Sequence, residues 1–229
     1  MRHQFVVTCL AALGLGLLLG RGGTALAYNY NGLRWPYGTE MTTVCYYLTG
    51  STSRLGLGNP LANAAQSWAA AGAKFRFSYT GSSACQVTVR NDKNGVPIKY
   101  GGSYVDAFSN STVFEAGAVA GTWCTRVEGA SGETRIARCK MKLKHGSQKD
   151  EYVFGSYHPN TGCYSSGGQV LIDTQSTGLH EFGHFLELKE TSASADAMWS
   201  PQPECNGTKV WIHNVLSADD TAGIKYIYP

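Results

Sequence analysis

The chain lacks two features that would point to a membrane or a nucleic acid, namely a long hydrophobic run in its body and a strong excess of one charge. Beyond its N-terminal segment, no apolar run is long enough to span a bilayer. Only 15% of the 229 residues are charged, and the formal net charge is +3. We therefore expect no nucleic-acid partner and no membrane association of the mature form. The seven cysteines include no C-x-x-C pair and so indicate no metal site of that kind.

The N-terminal segment has the composition of a secretory signal peptide. Arg2 precedes an apolar run from Phe5 to Leu19, and Ala25-Leu26-Ala27 matches an A-x-A cleavage site. We expect cleavage of residues 1–27 after that alanine and a secreted, extracellular protein. This removes two arginines and no acid, which lowers the net charge from +3 to +1. Residues 28–229 are then enough for one domain with its own core.

Six cysteines remain after cleavage, and an even number in an exported chain predicts three disulfides. Sequence alone allows many pairings. The set that we expect joins neighbouring strands, closes a hairpin and braces the segments on either side of the candidate site: Cys45–Cys85, Cys124–Cys139 and Cys163–Cys205.

One short stretch carries chemistry, His180-Glu181-Phe182-Gly183-His184, which matches H-E-x-x-H. Residues four apart lie on one face of an α-helix, so the two histidines project side by side. Two neutral imidazoles there can bind one Zn²⁺ at about 2.0–2.1 Å each. Glu181 follows the first histidine and can act as general base on a metal-bound water. The motif alone also fits a surface helix that happens to carry these residues.

The residues after the motif extend the pattern. Glu187 and Glu190 follow His184, and Met198 lies eight positions past Glu190. Residues 216–229 read Leu-Ser-Ala-Asp-Asp-Thr-Ala-Gly-Ile-Lys-Tyr-Ile-Tyr-Pro and look like the closing helix of a catalytic domain. Motif, methionine and closing helix together resemble the metzincins, and most closely the matrixin branch, whose pattern is H-E-x-G-H-x-x-G-x-x-H followed by a Met-turn.

The resemblance implies a fold and an activity. The fold would be an α+β, zincin-type domain with a twisted, mixed five-stranded sheet, three main helices, an active-site helix and a Met-turn. The activity would be that of a zinc metalloendopeptidase acting on a protein or peptide substrate, with the chain working as a monomer. His180 and His184 would bind zinc, Glu181 would be the general base, and Met198 would support the metal site from below without binding the metal.

Two departures from the family pattern leave the third ligand open. The glycine after the second histidine is Glu187 here, and the third histidine is Glu190. If the chain leaves the helix at Glu187, then Glu190 replaces the third histidine, at a cost of roughly 1–2 kcal/mol for a left-handed non-glycine residue. If the helix continues unbroken, Glu190 turns away, and Glu187 becomes a ligand or a partner of the ligands. The preserved spacing to Met198 favours Glu190.

A carboxylate in the third position is chemically sound, because a His₂Glu set binds catalytic zinc in other peptidases. Its negative charge should leave the bound water less acidic than three imidazoles would, so we expect activity shifted towards higher pH. The alternative function is that of a secreted binding protein on a catalytically degenerate metzincin fold. Acids near residues 91–121 (Asp92, Asp106 and Glu115) also raise bound Ca²⁺ as a weaker expectation, since they follow no EF-hand spacing.

The coarse pattern of elements can be read along the chain. An aromatic arm, Tyr28 to Tyr37, leads into a strand at 41–49, and a helix is expected to begin with Asn59 as N-cap and to end near Gly72. Further strands are predicted at 74–79, 85–91 and 169–173, and a strand pair at 122–127 and 134–143. Lysines alternating over 140–144 suggest a guarded sheet edge. Ser217 and Asp220 form a capping box before the last helix.

Overall fold

The computed structural model describes most of the chain from residue 29 onwards, as the ranges 29–30, 32–36, 42–50, 52, 56–81, 86–91, 94, 97–107, 118–144, 152–155, 170–193, 195–199 and 213–229. Several predicted features lie outside these residues: the signal peptide and its cleavage site, and Cys85, Cys163, Cys205, Asp92 and Glu115. Those predictions stay as they are.

The described elements are three helices and eleven strands. The helices are α1 (Gly58–Ala69), α2 (Thr174–Phe185) and α3 (Ala218–Ile227). The strands are β1 (Asn29–Tyr30), β2 (Thr42–Leu48), β3 (Phe75–Tyr79), β4 (Gln86–Asn91), β5 (Pro97–Gly101), β6 (Ser103–Ala107), β7 (Ala120–Glu128), β8 (Thr134–Leu143), β9 (Tyr152–Gly155), β10 (Val170–Asp173) and β11 (Leu188–Lys189).

A mixed five-stranded sheet in the order β3-β2-β6-β8-β7 forms the largest layer. Its first four strands run parallel, and β7 is antiparallel to β8. Parallel neighbours need a crossover connection, which α1 supplies between β2 and β3. The predicted coarse class, α+β with a mixed five-stranded sheet and three helices, agrees with this arrangement.

Helix α1 has the buried face that its sequence predicts. Leu61, Ala64, Ala65 and Trp68 are all buried. The predicted N-cap is wrong, because the helix begins at Gly58 after Leu57 and has no side-chain cap. Asn59 and Pro60 therefore lie inside the first turn, where proline is tolerated because those backbone N–H groups have no partner within the helix.

The strand predicted at 85–91 is confirmed as β4. It pairs with β5 in a two-stranded sheet that is separate from the main sheet. The third parallel strand of the main sheet is β6, in a stretch whose spacing carried no clear strand pattern. The lysine-rich strand β8 lies between β6 and β7, so its lysines do not guard a sheet edge. Local pairing in a hairpin and long-range pairing in a sheet favour the same residue types, so the sequence of a strand does not show which strand it pairs with.

The hairpin of β7 and β8 is confirmed and closes with a disulfide. Cys124 lies directly opposite Cys139 in the strand register, and the two are disulfide-bonded as predicted. Cys45 is also disulfide-bonded, while its predicted partner lies outside the described residues. Three cysteines of the main sheet are therefore disulfide-bonded.

Helix α2 runs through the interior against α1. Gly178 allows the close approach, since a Cβ there would lie 3.0 Å from Leu61 Cδ2 and 3.2 Å from Ala64 Cβ. The indole nitrogen of Trp68 donates a hydrogen bond to the carbonyl of Leu179 at 2.8 Å. The position of α2 is therefore fixed by contacts on α1.

The last helix, α3, opens with the predicted capping box. Ser217 accepts a hydrogen bond from the backbone of Asp220, whose side chain accepts one from the backbone of Ser217. Ile224 and Ile227 are buried on its inner face, as expected. In the described part of the chain, no helix combines the length and the apolar composition that crossing a membrane requires.

Candidate metal centre and active site

The candidate site is built on α2, which begins where strand β10 ends. Asp173 caps the helix by accepting a hydrogen bond from the backbone N–H of Ser176 at 2.7 Å. From this start, His180 and His184 fall on one face four residues apart, as the sequence predicts. Their rings meet edge to face with centroids 4.7 Å apart.

The protonation of both imidazoles follows from their backbone partners. Nδ1 of His180 lies 2.9 Å from the carbonyl oxygen of Ala197, and Nδ1 of His184 lies 2.8 Å from that of Leu188. Because a carbonyl can only accept, each neutral ring carries its proton on Nδ1 and exposes a lone pair on Nε2. The two Nε2 atoms are 3.1 Å apart. Two lone pairs at that separation repel each other unless a cation lies between them.

The third candidate ligand approaches through a turn after the helix. Helix α2 ends at Phe185, and Glu187 has a positive φ of 64°. This left-handed residue redirects the chain, so the alternative of an unbroken helix is wrong. Ligand atoms of His180, His184 and Glu190 all lie within 4.8 Å of one another. The backbone thus brings Glu190, and not Glu187, to the histidine pair.

Glu187 is buried on another side of the turn. Its Oε2 atom lies 3.9 Å from Nη2 of Arg126, whose side chain is 57% exposed on β7. Among the described residues, Glu187 is not part of the group whose ligand atoms converge. Its position fits a role in shaping the turn.

Glu181 is enclosed beside the histidine pair. Its Oε2 atom is buried and has no hydrogen-bond partner in the described part of the chain. Burial raises the pKa of Glu181, and the negative charge of Glu190 acts in the same direction. His184 and a hydrogen bond from Thr122 oppose that rise in the pKa. The hydroxyl of Thr122, on edge strand β7, also donates to the carbonyl of Glu181 at 3.2 Å.

Met198 packs against α2 at the position where the sequence predicts a Met-turn. It is buried, and its sulfur packs against Gly183 between the two histidines of the motif. The turn is closed by a hydrogen bond from Trp199 N to the carbonyl of Asp196 at 3.1 Å. Asp220 of α3 accepts a hydrogen bond from Ala197 N at 2.8 Å, so the closing helix anchors the turn.

His213 is a neighbour of the site that sequence reasoning missed. Burial lowers the pKa of His180 to about 3, and His184 and His213 add to that lowering. The backbone of His213 donates to Ser176 Oγ at 3.0 Å, and its ring centroid is 5.8 Å from that of Trp199. A single histidine ahead of the last helix follows no motif, so only the fold could bring it here.

The arrangement fits a zinc ion. Two bonds of about 2.0–2.1 Å at a tetrahedral angle separate nitrogen ligands by about 3.3 Å, close to the 3.1 Å between the Nε2 atoms. Donation from Nδ1 to a backbone carbonyl is the usual way in which a metal-binding histidine is oriented. A carboxylate completes a donor set that zinc accepts, and the buried Oε2 of Glu181 has no hydrogen-bond partner among the described residues. The calcium expectation gains no comparable support, because Asp106 accepts a hydrogen bond from Thr49 at 2.7 Å and belongs to no converging group in the described ranges.

In comparisons with known proteins, no family model matches this chain and no curated protein matches it in sequence.

Proposed function

We propose that the chain is a secreted zinc endopeptidase of metzincin type, nearest to the matrixin branch. The observation that carries the proposal is the pair of imidazoles whose bare Nε2 atoms face each other at 3.1 Å, with Glu190 converging on the same point. The motif order, the Met-turn under the helix and the five-stranded sheet support the same family. The disulfides and the predicted signal peptide support secretion.

His180, His184 and Glu190 would hold the zinc. When bound, zinc supplies a Lewis acid that polarises a peptide carbonyl and makes water more acidic. Glu181 lies where its buried Oε2 can take a proton from the attacking water and later give it to the leaving amine. The raised pKa of Glu181 suits both steps, because a carboxylate whose pKa lies closer to the working pH is a stronger base than a surface glutamate, while its protonated form remains acidic enough to protonate the leaving amine.

Edge strand β7 would position the substrate. It forms one edge of the described sheet and contacts α2 through Thr122 beside Glu181. An extended peptide can add to such an edge by backbone hydrogen bonds. Its scissile bond would then pass over the histidine pair.

Metal analysis and casein hydrolysis test the proposal on the purified mature protein. We expect one zinc per chain, and we expect Glu181→Ala and the isosteric Glu181→Gln to keep that zinc while losing about 10²–10⁴-fold in activity. A protein without zinc would instead be the degenerate, secreted binding protein. Zinc-bound protein with equal activity in wild type and Glu181→Gln would contradict the role of Glu181.

A further inference from the structure

The N-terminal arm, residues 29–36, is attached to the segment that carries the third candidate ligand. Strand β1 pairs antiparallel with β11, with Asn29 opposite Lys189 and Tyr30 opposite Leu188. Strand β11 fills the short stretch between the left-handed Glu187 and Glu190. The arm therefore holds the backbone immediately before the carboxylate that meets the histidines.

The rest of the arm is fixed to the elements around this segment. The indole nitrogen of Trp35 donates to the carbonyl of Phe185, the last residue of α2, at 2.7 Å. The backbone N–H of Trp35 donates to the phenol oxygen of Tyr228 at 3.0 Å. On β8, the backbone of Ile136 donates to the carbonyl of Arg34 at 3.1 Å. The arm thus connects the end of the active-site helix to α3 and to the sheet.

Strand β11, which pairs with β1, is in contact with or adjacent to two of the three candidate ligands. Glu190 is its next residue, and the carbonyl of Leu188 accepts the hydrogen bond that orients His184. The turn before this segment contains the left-handed Glu187, a conformation that L-residues seldom adopt and that surrounding structure must maintain. Pairing with β1 is a contact well placed to maintain it.

We propose that the N-terminal arm is a positioning element for the metal site, which sets Glu190 and the orientation of His184 through the β1–β11 pairing. This inference rests on the proposed zinc site. Its consequence is that trimming a few residues from the mature N-terminus lowers metal affinity, although no arm residue touches the metal. Proteolysis of the arm would then inactivate the enzyme from outside the active-site cleft.

The test compares the chain from residue 28 with one that starts at Gly32, which removes β1 and keeps Trp35. Zinc affinity is measured by competition with a chromophoric chelator, independently of activity. We expect the truncated chain to bind zinc about 10–100-fold more weakly, the range seen when groups that orient metal ligands are lost. The same truncation in a Glu190→Ala background should change affinity less, because one of the two ligands through which the arm acts is gone and only the orientation of His184 remains.

Point variants provide the matched control. Tyr30→Pro places a proline in the two-residue strand β1, where it removes the N–H and restricts the backbone, whereas Tyr30→Phe keeps the backbone and most of the side chain. We expect Tyr30→Pro to reproduce the truncation and Tyr30→Phe to bind zinc like the wild type. Thermal unfolding in EDTA shows whether each metal-free variant is folded. If the truncated chain does not fold, the comparison of Tyr30→Pro with Tyr30→Phe decides.

Three results would overturn the inference. Zinc affinity unchanged by truncation and by Tyr30→Pro, with full binding by the wild type, would refute the role of the arm alone. Equal losses in the presence and absence of Glu190 would refute the claim that the arm sets the position of Glu190. Failure of the full mature chain to bind zinc would refute the proposed function itself, and the inference with it.

Discussion

Gly183 and Met198 are in direct contact beneath the candidate metal site. A Cβ atom on Gly183 would overlap the sulfur of Met198 and would lie 3.0 Å from Cζ2 of Trp68. The glycine is therefore needed so that the Met-turn can approach the helix between its two histidines. The carbonyl of Ala197, next to Met198, can then accept the hydrogen bond from His180.

Gly183→Ala should displace the Met-turn. We expect a loss of about 1–3 kcal/mol in the free energy of unfolding, as for overpacked cores, together with weaker zinc binding. Gly81→Ala is the matched control, since a Cβ there meets nothing within 4 Å. Chemical denaturation and chelator competition measure the two effects. Equal stability of the two variants would show that Met198 does not pack as described.

The two glutamates after the helix should differ in their effect on metal affinity. Glu190→Ala removes a converging carboxylate, so we expect zinc affinity to fall by more than about 100-fold. Glu187→Ala leaves all three ligands in place and should cost less than about tenfold. A larger loss from Glu187→Ala would reverse the assignment of the third ligand.

The backbone at Glu187 should favour glycine over alanine. Both substitutions remove the carboxylate that faces Arg126, but only glycine adopts a φ of 64° without steric cost. We expect Glu187→Gly to be more stable than Glu187→Ala by about 1 kcal/mol. Thermal unfolding of both variants gives the difference directly. Alanine equal to or better than glycine would argue against the left-handed turn.

The metal-free protein should lose stability in mild acid through His180. Its pKa falls from 6.5 to about 3 in the folded chain, so between those values the unfolded chain binds the extra proton. Stability therefore decreases as the pH falls from 6.5 towards 3, by up to about 1.4 kcal/mol per pH unit. The raised pKa of Glu181 acts in the opposite direction, because the folded chain keeps that proton more tightly.

The contribution of His180 is isolated by comparison with His180→Gln. Denaturation in EDTA over this pH range should show a steeper loss for the wild type than for the variant. Parallel curves would mean that His180 is not buried as a neutral imidazole.

The pH profile of activity should depend on the negative charge of Glu190, the proposed third ligand. The negative charge of Glu190 would lower the net positive charge at the metal, so that a bound water would be less acidic. The raised pKa of Glu181 means that its carboxylate forms only at a higher pH. We expect an acid limb that Glu190→His moves to lower pH, by about one unit. Rates measured on one peptide substrate from mild acid to mild base test this. A wild-type profile already flat in mild acid would contradict it.

Local sequence rules predicted those parts of the fold that depend on short-range chemistry. The capping box at Ser217 and the buried face of α1 follow from spacing and side-chain type, and both are present. Strand β4 was predicted, but its place in a separate two-stranded sheet was not, because a strand's own sequence does not show which strand it pairs with. Asn59 resembled an N-cap, but the helix begins one residue earlier, at Gly58, without a side-chain cap.

By itself, the sequence determined that the two imidazoles lie side by side, with Glu181 next to the first, because a helix places residues four apart on one face whatever surrounds it. It also determined the spacing to Met198. Only the tertiary structure decided which glutamate joins the histidines. That choice depends on a left-handed residue at Glu187, which its own preferences disfavour. Contacts from β1, Trp35 and the Met-turn, all distant in sequence, surround the turn and can offset that cost.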